Sequence, residues 1–218
     1  MTVDKPTGTI PGMTRRSPRP RRHGKPATPR RNGKDGGRLR IIGGDYRRRL
    51  LPVLDCPGLR PTPDRVRETL FNWLAAALPG AHVLDLFAGT GALGLEALSR
   101  GARDACFVER DSRVARQLAD NLATLGVGER GQVATQEAST FLTGQPRPFH
   151  LVFLDPPFRQ GLAAACCQKL EAGWLCDRAF IYLEVEAELA PEVPANWTLH
   201  REVRAGDSYG RLYARHSV

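Results

Sequence analysis

The run Val83-Leu84-Asp85-Leu86-Phe87-Ala88-Gly89-Thr90-Gly91-Ala92-Leu93-Gly94 constrains the fold more than any other stretch of this chain. An apolar strand breaks into closely spaced glycines, and an apolar helical pattern then runs from Ala92 to about Arg100, closed by Gly101. A strand, a glycine turn and a helix in immediate succession form half of a βαβ unit, which predicts a parallel sheet. Glycines at the carboxyl end of the strand let the backbone approach a ligand closely, and the helix N-terminus behind them favours polar or anionic groups.

The rest of the chain continues the alternation. Strands are predicted at Ala105–Glu109, Gln132–Gln136, Leu151–Asp155 and Phe180–Val185. Between them lie a helix opened by Ser112, with Val114, Leu118, Leu122 and Leu125 on one face and Gly126 as its stop, and a helix over about Leu162–Leu175. Thr198–Arg204 and Tyr209–Arg215 flank Gly206 and read as a hairpin. With Val83–Phe87 these make seven strands, so the expected fold class is α/β, a Rossmann-like, mostly parallel sheet with a C-terminal antiparallel hairpin.

Ahead of the sheet, Leu39–Gly44 and Tyr46–Leu51 read as a strand, a turn and a return strand. Val66, Leu70, Leu74 and Leu78 then mark an amphipathic helix over 64–78, stopped by Pro79-Gly80. Residues 1–37 contain 6 Pro, 6 Gly and five apolar residues, too few to offset the entropy of ordering them, and are expected to be disordered. The expected organisation is a basic tail over 1–37, a hairpin-and-helix extension over 38–79 and a catalytic domain over 80–218.

Charge follows the same division. The 218 residues carry a formal charge of +9, yet residues 61–218 hold 16 Lys/Arg against 19 Asp/Glu. Residues 1–37 hold 10 against 2, and residues 38–60 hold 6 against 2. A slightly acidic body with a basic front suggests a nucleic-acid or other polyanionic partner. No apolar run is long enough to span a bilayer and the basic N-terminus lacks the apolar stretch of a secretory signal, which points to a cytoplasmic protein. Cys56, Cys106, Cys166, Cys167 and Cys176 form no C-x-x-C pair and the five histidines lack ligand spacing, so neither a disulfide framework nor a metal site is expected.

Two constellations carry chemistry. The first joins the glycine turn to Glu109, placed at the end of the next strand, where an acid accepts hydrogen bonds from both hydroxyls of a ribose. The spacing of Gly89, Gly91 and Gly94 also satisfies G-x-G-x-x-G, so a nicotinamide dinucleotide must be weighed. Asp85 argues against it, because a carboxylate there repels a pyrophosphate and suits a cofactor with a cationic amino-acid end. S-adenosylmethionine has that end and a ribose.

The second is Leu151-Val152-Phe153-Leu154-Asp155-Pro156-Pro157-Phe158. An exocyclic amine on a nucleobase is a poor nucleophile because its lone pair is delocalised into the ring. The Asp155 carboxylate and the Pro156 carbonyl can accept its two N–H hydrogens and aim the lone pair at an electrophilic methyl. The prolines preorganise those acceptors, and Phe158 can stack on the base. Asp155 need not be a strong base, because the amine can lose its proton after methylation. A cysteine-nucleophile mechanism would need a Cys beside the base, and Asp55-Cys56-Pro57 lies in the extension instead.

Taken in order, these motifs resemble class I S-adenosylmethionine-dependent methyltransferases of exocyclic amines. Arg40–Gly44, Gly58–Leu74 and Ala88–Ala102 look, more narrowly, like the 16S ribosomal RNA guanine(966)-N(2)-methyltransferase family, over residues 38–215. The resemblance implies that Asp85, Phe87, Gly89 and Gly91 hold the methionine end of S-adenosylmethionine. It also implies that Glu109 binds the ribose, with Arg110, Glu137 and Ala138 near the adenine. Asp155, Pro156, Pro157 and Phe158 would form the target-base site, and many relatives carry Tyr in the last place. Arg40, Arg47, Arg48, Arg49, Arg60 and Arg65 would face RNA, with Arg60-Pro61-Thr62 over the cofactor pocket. The partner implied is 16S ribosomal RNA or a small-subunit assembly particle, acted on by a monomer without a metal. The motif chemistry alone serves adenine N6 as well as guanine N2.

Overall fold

The structure, a computed structural model, describes residues 1–3, 37–56 and 62–216. The expected tail over 1–37 therefore lies, but for its ends, outside the described residues, as do Arg60 and Pro61. All that follows concerns the unit Gly36–Val218.

Two short strands, β1 (Arg38–Arg40) and β2 (Leu50–Pro52), pair antiparallel with Leu39 opposite Leu51. Helix α1 spans Asp64–Trp73 and stops short of the expected 78, its last turns loosening into hydrogen-bonded turns from Leu74 to Leu78. Then come β3 (His82–Asp85), α2 (Ala92–Ser99), β4 (Asp104–Glu109), α3 (Ser112–Leu125) and β5 (Gly131–Thr135). They are followed by α4 (Ala138–Phe141), β6 (Phe149–Leu154), α5 (Leu162–Leu170) and β7 (Leu175–Glu186), and by the hairpin β8 (Trp197–Ala205) and β9 (Ser208–His216).

Seven strands form one sheet in the order β5-β4-β3-β6-β7-β9-β8. The first five are parallel, and β9 runs antiparallel to both β7 and β8. Alternation along each strand divides the core in two. Val83, Phe107, Leu151, Phe153 and Tyr182 face a cluster that includes α1, α2, α3 and the β1–β2 pair. Leu84, Cys106, Val108, Val152, Leu154 and Ile181 face the other, built with α4 and α5. Both faces of the sheet are thus covered, which is why the central strands read as unbroken apolar runs rather than as alternation.

Three local differences have physical causes. The cap of α3 is Asp111, whose carboxylate accepts the Arg113 N–H at 2.9 Å, so Ser112 is the first helical residue rather than the cap. Helix α5 ends at Leu170, because Gly173 adopts φ +91 and turns the chain so that β7 starts at Leu175. Helix α4 is a single turn, too short to leave a periodic signal. Among the described residues no helix is long and apolar enough to cross a membrane.

Candidate active site

Strand β3 lies between β4 and β6, and the chain leaves it in one direction toward β5 and in the other toward β7. Ligands bind in such sheets at the carboxyl ends of the strands where the order reverses. Asp85, Glu109 and Asp155 all sit there: the first two end β3 and β4, and the third immediately follows β6.

Asp85 is almost fully buried and accepts the Gly94 N–H at 2.9 Å. Burial pushes its carboxyl up to about 7, against the pull of the Gly94 hydrogen bond, and the nearby Glu109 charge pushes it further. Glu109 uses both oxygens on the backbone, accepting Gly89 N–H at 2.9 Å and Asp111 N–H at 2.7 Å. The glycine turn and the acid expected to hold a ribose are therefore built as one piece, joining β3 to β4. Gly91 takes φ +77 as the N-cap of α2, and a Cβ on it would lie 2.4 Å from the Leu118 side chain. A Cβ on Gly94 would lie 2.2 Å from the Phe107 ring, so this glycine sets how closely α2 approaches β4. Val53 and Leu54, just beyond β2, line a small pit together with Gly89 and Thr90.

Phe87 is half-buried against the second core. Arg110 and Glu137 form an exposed ion pair at 3.6 Å, and Ala138 is buried at the start of α4. These three residues border the carboxyl ends of β4 and β5.

At the other flank, Asp155 is half-buried, Pro156 buried, Pro157 exposed and Phe158 half-buried. Burial raises the Asp155 carboxyl well above the usual carboxylate range, and the charges of Glu184 and Asp85 add to the effect. Asp155 and Asp85 are thus electrostatic neighbours across the crevice. Arg159, directly after Phe158, adopts φ +63, uncommon for a side chain of its size, and its N–H is held by Glu186.

The arginines separate into two groups. Arg40 is committed to Asp64, with Nη2 at 2.6 Å, and Arg49 donates to the Thr124 carbonyl at 3.3 Å. Arg47, Arg48 and Arg65 are exposed and have no side-chain partner among the described residues. Arg48 sits in the hairpin turn at φ +68. Arg60 lies outside the described residues.

A polar network that the sequence reading does not contain ties the hairpin to α2. Glu96, wholly buried, accepts Ile42 N–H at 2.8 Å, Gly43 N–H at 2.7 Å and Arg100 Nε–H at 2.7 Å. Ser99 donates to the Gly43 carbonyl at 2.5 Å and accepts Tyr46 N–H at 3.0 Å. Buried Arg67 donates to Asp64 and to the Arg40 carbonyl and approaches Glu96 at 3.8 Å. The available signal was a lone acid inside the otherwise apolar helix Ala92–Ser99, which requires a buried partner.

Residues 39–214 match the model of a family described as Conserved hypothetical protein 95. Ribosomal RNA small subunit methyltransferase D of Escherichia coli K12 is 55% identical over 186 residues, covering 84% of this chain and 93% of that protein. The protein of the same name from Haemophilus influenzae is 48% identical over 182 residues, covering 81% of this chain and 94% of its own length. The solved structure of yhhF from Escherichia coli superposes with a TM-score of 0.77 at 54% identity, covering 84% of this chain and all of that one. With its fold, its glycine turn and its Asp-Pro-Pro-Phe edge in place, this chain belongs to the ribosomal RNA small subunit methyltransferase D family.

Proposed function

We propose that the protein methylates the exocyclic N2 amine of a guanine in 16S ribosomal RNA, using S-adenosylmethionine. The observation that carries this reading is the pairing of Asp155-Pro156-Pro157-Phe158 with Asp85 and Glu109 at adjacent strand ends of one sheet. When bound, S-adenosylmethionine supplies a methyl group already activated on a positively charged sulfur.

The chain's own residues position and polarise. Asp85 offers a carboxylate to the cationic methionine end, and Glu109, anchored by Gly89 and Asp111, offers its remaining lone pairs to the ribose. Arg110, Glu137 and Ala138 border the adenine. Asp155 and the Pro156 carbonyl take the amine hydrogens, and half-buried Phe158 stacks on the base. Arg47, Arg48 and Arg65 contact RNA phosphates, while Arg40 and Arg49 serve the hairpin's own structure first.

Incubating 16S ribosomal RNA, naked and in assembling subunits, with labelled cofactor and mapping the product by mass spectrometry tests the reading. N2-methylguanine is expected, and a methylated adenine would overturn it. Asp155→Ala should lower methyl transfer by about a hundredfold or more while leaving RNA affinity nearly unchanged. Unaltered turnover would remove Asp155 from the reaction.

A further inference from the structure

Behind Asp155 lies a second buried carboxylate to which the reaction above gives no part. Leu154 of β6 pairs in register with Leu183 of β7, so Asp155 and Glu184 follow side by side on neighbouring strands. Glu184 is 7% exposed. Its Oε1 accepts the Ser208 hydroxyl at 2.7 Å and its Oε2 accepts the Tyr182 hydroxyl at 3.2 Å. Strand β9 completes the seat: Gly210 pairs with Glu184, and a Cβ on Gly210 would lie 2.2 Å from the Tyr182 hydroxyl oxygen. The glycine therefore makes room for the tyrosine that holds the glutamate.

A carboxylate buried this deeply is usually neutralised by a cation. Here two hydroxyl donors take that place, one from the strand carrying Glu184 and one from the strand beside it. Both carboxylate oxygens are thereby supplied with a donor. The charged and titratable groups facing Asp155 are Glu184 from β7 and Asp85 from β3, with buried Tyr182 close behind. The two neighbouring charges have the same sign as Asp155 itself.

We propose that Glu184 is a positioning residue that acts through Asp155, its charge holding the Asp155 carboxylate ready to receive the proton that the methylated amine releases. The inference rests on the amine-methylating reading and names a device within that site. In the step it serves, the amine lone pair forms the new N–C bond, and the pair of the breaking C–S bond stays on sulfur. The nitrogen then carries a positive charge until one N–H bond breaks. Its electron pair remains on nitrogen and its proton passes to the Asp155 carboxylate. A carboxylate crowded by a like charge gains more from taking that proton than an isolated one.

The direction of the effect follows. Asp155 must be ionised to receive the proton, so methyl transfer falls on acidification as Asp155 becomes protonated. Removing the Glu184 charge makes ionised Asp155 easier to keep, and the acid limb moves to lower pH.

Single-turnover methylation of 16S ribosomal RNA across pH, at S-adenosylmethionine concentrations saturating at every pH so that titration of Asp85 does not enter, by the wild type and by Glu184→Gln, tests this. The substitution retains an acceptor for Ser208 and removes the charge. The acid limb should shift down by about one pH unit, with a lower plateau, and Glu184→Asp, which keeps the charge, should return it toward the wild-type position. A residue with a structural role only would lower the plateau without moving the limb. A limb unmoved in Glu184→Gln overturns the inference and leaves the functional reading intact. Absence of N2-methylguanine with the wild type overturns the functional reading itself. Should Glu184→Gln fail to fold, Ser208→Ala removes one donor and leaves the carboxylate. Because the charge stays, the limb should remain near the wild-type position, and a limb moved down by about one pH unit would show that it does not follow the Glu184 charge and overturns the inference.

Discussion

Between pH 7.5 and pH 5.5 the affinity for S-adenosylhomocysteine should fall roughly twenty-fold, about 1.8 kcal/mol, because Asp85 titrates inside that window. Its carboxyl is buried beneath the glycine turn and pushed up to about 7. About three-quarters of the free protein then carries the charge at pH 7.5 and about 3% at pH 5.5, and the cationic amino-acid end of the ligand selects the charged fraction. Stability moves the opposite way. The folded value lies above the unfolded one, so the free protein loses stability as pH rises from about 4 to about 7, by on the order of 4 kcal/mol. The ligand's ammonium offsets that cost. Calorimetric titration at half-unit pH steps, with Asp85→Asn beside the wild type, measures the slope directly. The asparagine variant should bind weakly and with almost no slope. A flat wild-type curve, or a full slope in Asp85→Asn, would refute Asp85 as the carboxylate that meets the ligand's charge.

Other perturbations test the scaffold and the RNA face. Gly94→Ala places a Cβ 2.2 Å from the Phe107 ring and should cost about 1–3 kcal/mol in thermal unfolding. An unchanged melting point would mean that α2 moves off β4 freely. Glu96→Ala removes the acceptor of two backbone N–H groups and of Arg100, and the counter-charge 3.8 Å from buried Arg67, and should cost about 3–5 kcal/mol, lowering Tm by about 10 °C. A loss below about 1 kcal/mol would show that the hairpin is held by its apolar contacts instead. Replacing Arg47 and Arg48 together by Gln should flatten the dependence of RNA affinity on log salt by about 0.7–0.9 per lost phosphate contact. An unaltered slope would take the hairpin turn out of the RNA interface.

The groups the site is built from are legible wherever their signal is local. Asp85, Gly89 and Gly91 fall within one strand-turn-helix unit, Glu109 ends the next strand, and Asp155 heads its own four-residue motif, so adjacency in the chain reports adjacency in space. The seven strands are legible for the same reason, since each is a short apolar run between turn residues. What remained hidden depends on register between distant segments. Glu184 meets Asp155 only because β6 and β7 align Leu154 with Leu183, and it meets Ser208 only because the hairpin returns beside β7. Glu96 meets Ile42 and Gly43 across 54 and 53 residues. Likewise, Asp111 and Ser112 are both good caps by composition. Only the path of the chain leaving Glu109 decides that Asp111 takes the position.

Helix α2 ties together two parts of the chain that composition separates. Its first residues follow the glycine turn, and its last turn, through Glu96 and Ser99, grips the hairpin. For protein engineering, this makes residues 38–52 and 92–100 a single heritable cassette. A hairpin transplanted from a relative to alter substrate choice would arrive without its anchor unless the helix travelled with it, and a new helix would bring its own cofactor turn. The hairpin and the helix behind the glycine turn therefore have to be exchanged together in this fold.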